Sequence, residues 1–244
     1  MNYLLAELTA GAYAIAVEDT HSWDVFSYTN CYVLHRNGQV ILIDTGLKAY
    51  QPAILAALGE IGITADMVTH ILFTHGHHDH VQGAALFPQA QKYIHSADLH
   101  LVAPALRTQF ATFLPQARDF FFAVPGLAEL SIVLVNTHSP GSAAIFDAVS
   151  QALFVGDFFC YFGEALPDGK LVSNSEGIKR GSCQYVAGQA AAGGTDHSRF
   201  MQGLGRLLDY QPEFFCTGHG VIVSEGIQDF LKQMWQSGTT KAEG

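Results

Sequence analysis

The stretch Ile71-Leu72-Phe73-Thr74-His75-Gly76-His77-His78-Asp79-His80 decides how this chain is read. An apolar run fit for a buried strand ends in four histidines and an aspartate within six residues. On an extended segment alternate side chains share a side, so the imidazoles of His75 and His77 project together. Asp79 and His80 follow where the chain turns away, and can face the same space from a second direction. Neutral imidazole nitrogen and carboxylate oxygen are the donors that zinc and similar divalent metals take. Most short histidine tracts are solvated loops. This one has a carboxylate interleaved, and three more ligand-type residues follow predicted strands: His138 after Leu130–Val135, Asp157 after Leu153-Phe154-Val155-Gly156, and His219 within Thr217-Gly218-His219-Gly220. Each passes into a glycine-containing loop, where rigid scaffolds display functional side chains. A convergent site is the simpler account of four such strand ends.

Working outward, residues 12–17 read as a strand and residues 30–44 as a hairpin. Asn37-Gly38 between two β-prone runs is a strong turn signal. Val40-Ile41-Leu42-Ile43 is apolar at successive positions, so both faces of that strand are covered. Residues 50–60 carry a helical pattern, 69–74 a strand, 81–87 a short helix stopped by Pro88, and 92–95 a short strand. Residues 97–126 read as helical pieces broken by Pro104, Pro115 and Pro125. A strand at 130–135, a hairpin at 143–156, a helix at 197–209, a strand at 213–217 and a helix at 225–235 complete the pattern. Residues 158–195, rich in Gly, Ala and Ser and weakly periodic, read as a long loop or cap beginning at the site. No linker is visible, so one domain over residues 1–244 is expected.

A chain of 244 residues can bury a large core as one unit. Its net charge of −10, with no basic stripe, argues against nucleic acid as a partner. Cys31, Cys160, Cys183 and Cys216 show no paired spacing and read as free thiols of a reducing compartment. The first apolar stretch lacks a basic flank and is interrupted by Glu7, so no signal peptide is expected. No apolar segment is long enough for a membrane span. The expectation is a cytoplasmic protein acting on a small molecule, without a membrane partner, and at most paired with a second copy of itself as a homodimer.

With these residues in order, the chain resembles the metallo-β-lactamase superfamily. The resemblance runs from the Asn30 strand through Ile43-Asp44-Thr45-Gly46 and the HxHxDH motif at 75–80 to His138, Asp157 and His219. It implies an α/β (α+β) fold: a four-layer αββα sandwich of two mixed sheets with helices outside and the site along one edge. It also implies two divalent metal ions, zinc before iron. His75, His77 and His138 would hold one; Asp79, His80 and His219 the other; Asp157 would bridge both. Asp44 would orient a ligand histidine from behind. Many relatives have Pro-Gly-His at the third motif, where this chain has Asn136-Thr137-His138.

A divalent metal can lower the pKa of a bound water to about 7, giving hydroxide at neutral pH. The reaction expected is therefore hydrolysis, of thioester, ester or lactone bonds ahead of phosphodiesters, with Asp79 able to assist proton transfer besides acting as a ligand. The alternative is an iron oxidoreductase, since Phe154-Val155-Gly156-Asp157 is similar to the diiron domain of flavodiiron proteins. Those carry Glu at the position of His77, and histidine there suits zinc better. A metal-free interaction module is a third reading, disfavoured by the complete ligand set. Tyr161 and Cys160 are candidates for the substrate pocket, and Phe120-Phe121-Phe122 reads as core before groove. His78 is expected to face away from the metals. His70, His95, His100 and His197 read as structural or surface residues, and Gly193-Gly194 as a flexible joint.

Overall fold

The computed structural model describes residues 2–19, 25–163 and 165–239. Its first sheet runs in chain order: β1 (Tyr3–Thr9), β2 (Ala12–Asp19), β3 (Ser27–Arg36), β4 (Gln39–Ile43), β5 (His70–Leu72), β6 (Gln91–Ile94) and β7 (Phe110–Thr112). The first four strands form an antiparallel meander and the rest continue in parallel. The second sheet holds β8 (Leu114–Pro115), β9 (Phe121–Ala123), β10 (Leu130–Leu134), β11 (Ala143–Asp147), β12 (Ala152–Gly156), β13 (Val172–Ser173), β14 (Phe214–Thr217) and β15 (Ile222–Ser224). Its order is β13-β15-β14-β12-β11-β10-β9-β8. The helices are α1 (Gln51–Glu60), α2 (His78–Val81), α3 (Glu176–Ala192), α4 (Thr195–Leu207) and α5 (Ile227–Thr239).

Strand alternation divides the core into layers. Leu34, Ile41 and Ile43 of the first sheet meet Ile132, Ile145 and Phe154 of the second in the central layer. The neighbours Val33, Val40 and Leu42 point the other way, onto Ile54, Ala57 and Leu58 of α1. Val133, Leu153 and Phe215 of the second sheet face Leu204 of α4 and Phe230 and Met234 of α5. This is the αββα sandwich. Strand β4 is buried on both faces, as its unbroken apolar run requires.

Two segments differ from their sequence reading. Residues 158–195 are not one long loop, because α3 takes up 17 of them. Its buried positions are Lys179, Ser182 and Val186, so two of three inward residues are polar and the apolar period is faint. Ser175 caps the helix by accepting from the Ile178 N–H. Residues 97–126 form only isolated 3-10 turns, at Ser96–Asp98 and Arg107–Gln109, and then the short strands β7, β8 and β9. The prolines there end sheet-edge strands and turns, not helices. The segment 81–87 is a 3-10 turn at Gln82–Leu86 continuing from α2, which starts inside the histidine motif. Strand β1 lacks a strict alternation and was not expected.

Candidate metal centre

The site lies where several strands end at one edge of the sandwich. Past β5, the Thr74 N–H donates to Asp44 Oδ1 at 2.8 Å, which fixes where the chain leaves the sheet. Gly76 then passes so close to residue 98 that a Cβ would lie 2.7 Å from the Asp98 carbonyl oxygen. His77 is extended at φ −69°, ψ 153°, and α2 begins at the next residue. His75 and His77 therefore come from extended chain, and Asp79 and His80 from a helical turn. The loops after β10 and β12 deliver His138 and Asp157. His219 follows Gly218, where a Cβ would lie 2.2 Å from Asp157 Oδ1. No other residue fits there. Both His138 (φ 75°) and Asp44 (φ 60°) hold left-handed backbone conformations, strain of the kind that concentrates at functional sites.

These side chains converge in two groups, His75, His77 and His138 in one and Asp79, His80, Asp157 and His219 in the other. Within each group the ligand-type atoms lie within 4.8 Å of one another. Asp157 stands between them. Its Oδ2 is 3.9 Å from His75 Nε2 and 3.3 Å from His138 Nε2, and its Oδ1 is 3.2 Å from His80 Nε2 and 3.4 Å from His219 Nε2. Asp79 Oδ2 lies 3.3 Å from His219 Nε2. Among the described residues, Nε2 of His75 and His80 and Oδ2 of Asp79 and Asp157 are buried without a well-aligned hydrogen bond. Buried polar atoms normally have partners. Here they point at one another across a common space, and the nitrogens of His77 and His138 approach to 2.8 Å. Five imidazoles and two carboxylates so arranged fit a pair of divalent cations of zinc-like preference.

Charge balance points the same way. Burial opposes ionisation of Asp157, yet the neighbouring His80 and His219 hold its carboxyl well below the usual range, and Asp79 is lowered similarly beside His219 and His80. Burial disfavours a charge on His80, but Asp157 and Asp44 raise its pKa well above that of a free imidazole. His219 is raised against burial by Asp157. Burial and the adjacent His80 push His75 well below, and burial lowers His138 too. The acidic group thus demands positive charge, while His75 and His138 offer neutral lone pairs. Both are what a metal needs.

Partners behind the ligands set their orientation. Asp44 Oδ2 is 2.8 Å from His80 Nδ1 and also accepts the Thr74 hydroxyl, leaving His80 Nε2 aimed at the carboxylates. His219 Nδ1 meets the Tyr28 carbonyl at 3.2 Å. Asn30 donates to the carbonyls of Thr217 and Gly220 at 3.0 and 2.9 Å, which clamps the His219 loop onto β3. Asp98 was not anticipated. Its buried carboxylate accepts from the N–H of Gly76 and Gly141 at 3.0 and 2.6 Å and from Ser139 Oγ at 2.5 Å, tying the His75–His77 loop to the His138 loop. No local pattern marks it, because its partners lie far off in sequence.

His78 is 65% exposed, with Nδ1 3.9 Å from Asp79 Oδ1, and belongs to neither ligand group. His70 stacks on Tyr93, His95 packs on Phe122 and accepts from the Ala97 N–H, and His100 bonds the Ala97 carbonyl. His197 meets the Gly238 carbonyl at 3.1 Å. Of the aromatic run, Phe121 and Phe122 are partly buried against the core, while Phe120 is 43% exposed under the Arg206 guanidinium. Gly193 and Gly194, both at positive φ, join α3 to α4. Cys160 Sγ lies 3.4 Å from Asp157 Oδ1, and Tyr161 meets Ser182 Oγ at 3.2 Å. Both border a cavity of about 580 Å³ that reaches His138 and Asp157. His197 borders it as well.

Residues 24–219 match the metallo-β-lactamase superfamily, and the chain belongs to that family. Among curated proteins it is 29% identical to YobT of Bacillus subtilis over 158 residues, 58% of this chain and 66% of that one. It is 28% identical to the β-lactamase-like protein 2 homolog of Drosophila melanogaster, over 82% of this chain and 61% of that protein. The chain thus spans less than two thirds of the length of these relatives. Among solved structures it is similar to a flavo di-iron protein of Thermotoga maritima, with a TM-score of 0.73 at 15% identity, covering 96% of this chain and 61% of that one. The flavodiiron core of Flv1 from Synechocystis gives 0.74 at 12%, covering 97% and 60%. At such identities the likeness is one of fold.

Proposed function

We propose that this chain is a di-metal hydrolase, loaded with two zinc ions, that cleaves a thioester, ester or lactone bond of a small molecule. The observation that carries the reading is Asp157, one oxygen toward each ligand group. His75, His77 and His138 would hold one ion and Asp79, His80 and His219 the other. When bound, the pair supplies hydroxide at neutral pH and a Lewis acid for the carbonyl oxygen. In hydrolysis the water oxygen joins the carbonyl carbon, the bond to the leaving sulfur or oxygen breaks, and a proton passes to the leaving atom. Asp157 and Asp79 would help to hold the cations, and Asp44, 2.8 Å from His80 Nδ1, orients His80 with Nε2 toward the carboxylates. The cavity beside His138 and Asp157 is the place for the substrate. Four free cysteines support a reducing, cytoplasmic location, and no helix among the described residues is long and apolar enough to cross a membrane.

The test is metal analysis of purified protein followed by a panel of thioesters, esters, lactones and phosphodiesters. Two zinc ions per chain with turnover of a carboxylic ester or thioester is the expected result. The likeness to flavodiiron proteins favours a second reading, an iron-loaded oxidoreductase. Iron-dependent oxygen consumption, with no hydrolysis by the zinc form, would establish that reading instead.

A further inference from the structure

Resting on the hydrolase reading, we infer that the bond cleaved belongs to a substrate with an uncharged, apolar acyl or aryl group, seated between α3 and the loop after β12. The cavity that reaches His138 and Asp157 is walled by Phe158, Phe159, Tyr161, Tyr185, Val186 and Phe200. Its volume of about 580 Å³ is that of a small-ligand site, and it is open on the side of the exposed Gly181, Tyr185 and Gln189. Among the described residues that border it there is no Lys or Arg, and the one acidic side chain besides Asp157 is Asp196. An anionic tail in this cavity would find no Lys or Arg and would meet a carboxylate; Arg199 borders only the adjoining cavity that shares Thr137, His138 and Asp196. An alkyl or aromatic group would find ring faces and methyl groups.

The wall is rigid where it must be. Phe158 and Phe200 stack with centroids 4.7 Å apart, and Phe159 meets Tyr161 edge-on at 5.5 Å. Tyr161 meets Ser182 of α3 at 3.2 Å, which joins the helix to the ligand loop. Along α3 the bordering residues are Gly181, Ser182, Tyr185, Val186 and Gln189, recurring at the i, i+4 spacing of one helix face. The faint apolar period of this helix thus has a second reason: part of its inward face lines a cavity. The polar end of that cavity is His138 and Asp157, which orients the occupant with its carbonyl toward the candidate ligands and its tail toward α3.

Gly181 supplies the test. A Cβ there meets nothing within 4 Å, and the residue sits mid-helix, where a larger side chain is tolerated and glycine is not favoured. The zinc-loaded full chain is assayed with p-nitrophenyl and thiol esters from acetyl to decanoyl, and with the matching esters of ω-carboxy acids. Each added methylene should raise kcat/KM about two- to fourfold until the cavity is full, and an ω-carboxylate should abolish the gain. In Gly181→Phe, and in Gly181→Leu as a gentler change, the ratio of octanoyl to acetyl kcat/KM should fall at least about tenfold with metal content unaltered. Esters turned over without regard to length or charge, or a ratio unmoved in both variants, would overturn the inference and leave the hydrolase reading standing. If no ester or thioester is cleaved, that reading fails. Calorimetry with alkyl hydroxamates of rising length then still decides the cavity: affinity climbing with length supports an apolar guest, and a flat series overturns it.

Discussion

Two buried aspartates ten residues apart in one sheet have opposite surroundings. Asp147 ends β11 and Asp157 follows β12; since the strands are antiparallel, they sit at opposite ends of the sandwich. Every oxygen of Asp147 is used. Oδ1 accepts from Arg36 Nη2 at 2.7 Å and the Val149 N–H at 3.2 Å, and Oδ2 from Arg36 Nη1 at 2.7 Å and from the Ser150 N–H and hydroxyl. Asp157, its side chain 2% exposed, keeps Oδ2 without an aligned hydrogen bond and shares its space with another carboxylate and with imidazoles. Strand β3 spans both environments, with Asn30 at the ligand edge and Arg36 at the far end. One end of the sandwich is finished by the protein itself. The other is completed only by a cation, and that difference separates the part that stabilises from the part that reacts.

The largest effect should come from Asp157→Ala. Losing the group between both ligand sets should lower kcat by about a thousandfold or more. The metal-free form should lose less melting temperature than Asp147→Ala does, because Asp157 Oδ2 has no aligned hydrogen bond to lose whereas every oxygen of Asp147 is bonded. An equal drop in the melting temperature of the chelated protein would break the contrast. Asp147→Ala should behave in the reverse sense, costing about 3 kcal/mol in urea unfolding at neutral pH while leaving kcat of the folded enzyme within about twofold.

Acid should sharpen the same comparison. Burial raises the Asp147 carboxyl, but its hydrogen bonds to Arg36 and Ser150 more than offset that and bring it below the ordinary value. The stability it contributes is therefore fully present above an unfolded carboxyl pKa of about 4, and is lost as pH falls through the lower folded value. In Asp147→Asn the stability of metal-free protein should decline less steeply below about pH 4; superimposable acid limbs would count against it. The smallest effect is expected at His78, whose change to Ala should alter kcat/KM by no more than about twofold, as for other exposed positions. A loss as deep as that in His77→Ala would mean that both histidines serve the centre.

The parts of this molecule that are legible in its sequence are those whose cause is local. The Asn37-Gly38 turn fixes the β3–β4 register, and the doubly buried β4 shows in four successive apolar residues. Ligand-type residues are visible because His75, His77, Asp79 and His80 crowd into one motif and His138, Asp157 and His219 each follow an apolar run. Asp98 is invisible by the same logic. It works through Gly76 and Gly141, and only the folded chain shows that a Cβ at either would collide with residue 98. Helix α3 is obscured because Lys179 and Ser182 turn inward: Lys179 bonds Glu225 O and Glu176, and Ser182 bonds Tyr161. Short β7 to β9 take their form from neighbouring strands, which composition alone does not encode.

The clamp of Asn30 on the carbonyls of Thr217 and Gly220 has a consequence for how the centre is born. Chains emerge from synthesis amino end first, and a domain folds as a unit. The first sheet and the His75–His80 motif are therefore available long before the loop bearing His219 exists. A nascent chain offers a partial set of imidazoles and one carboxylate, able to take up whichever ion is most avid by the general affinity order of divalent metals. Only when the last strands dock on β3 does the full set close around its contents. Asn30 is in that sense a latch: by holding the carbonyls of Thr217 and Gly220 it keeps His219, the last of the set to be synthesised, against ligands made long before it.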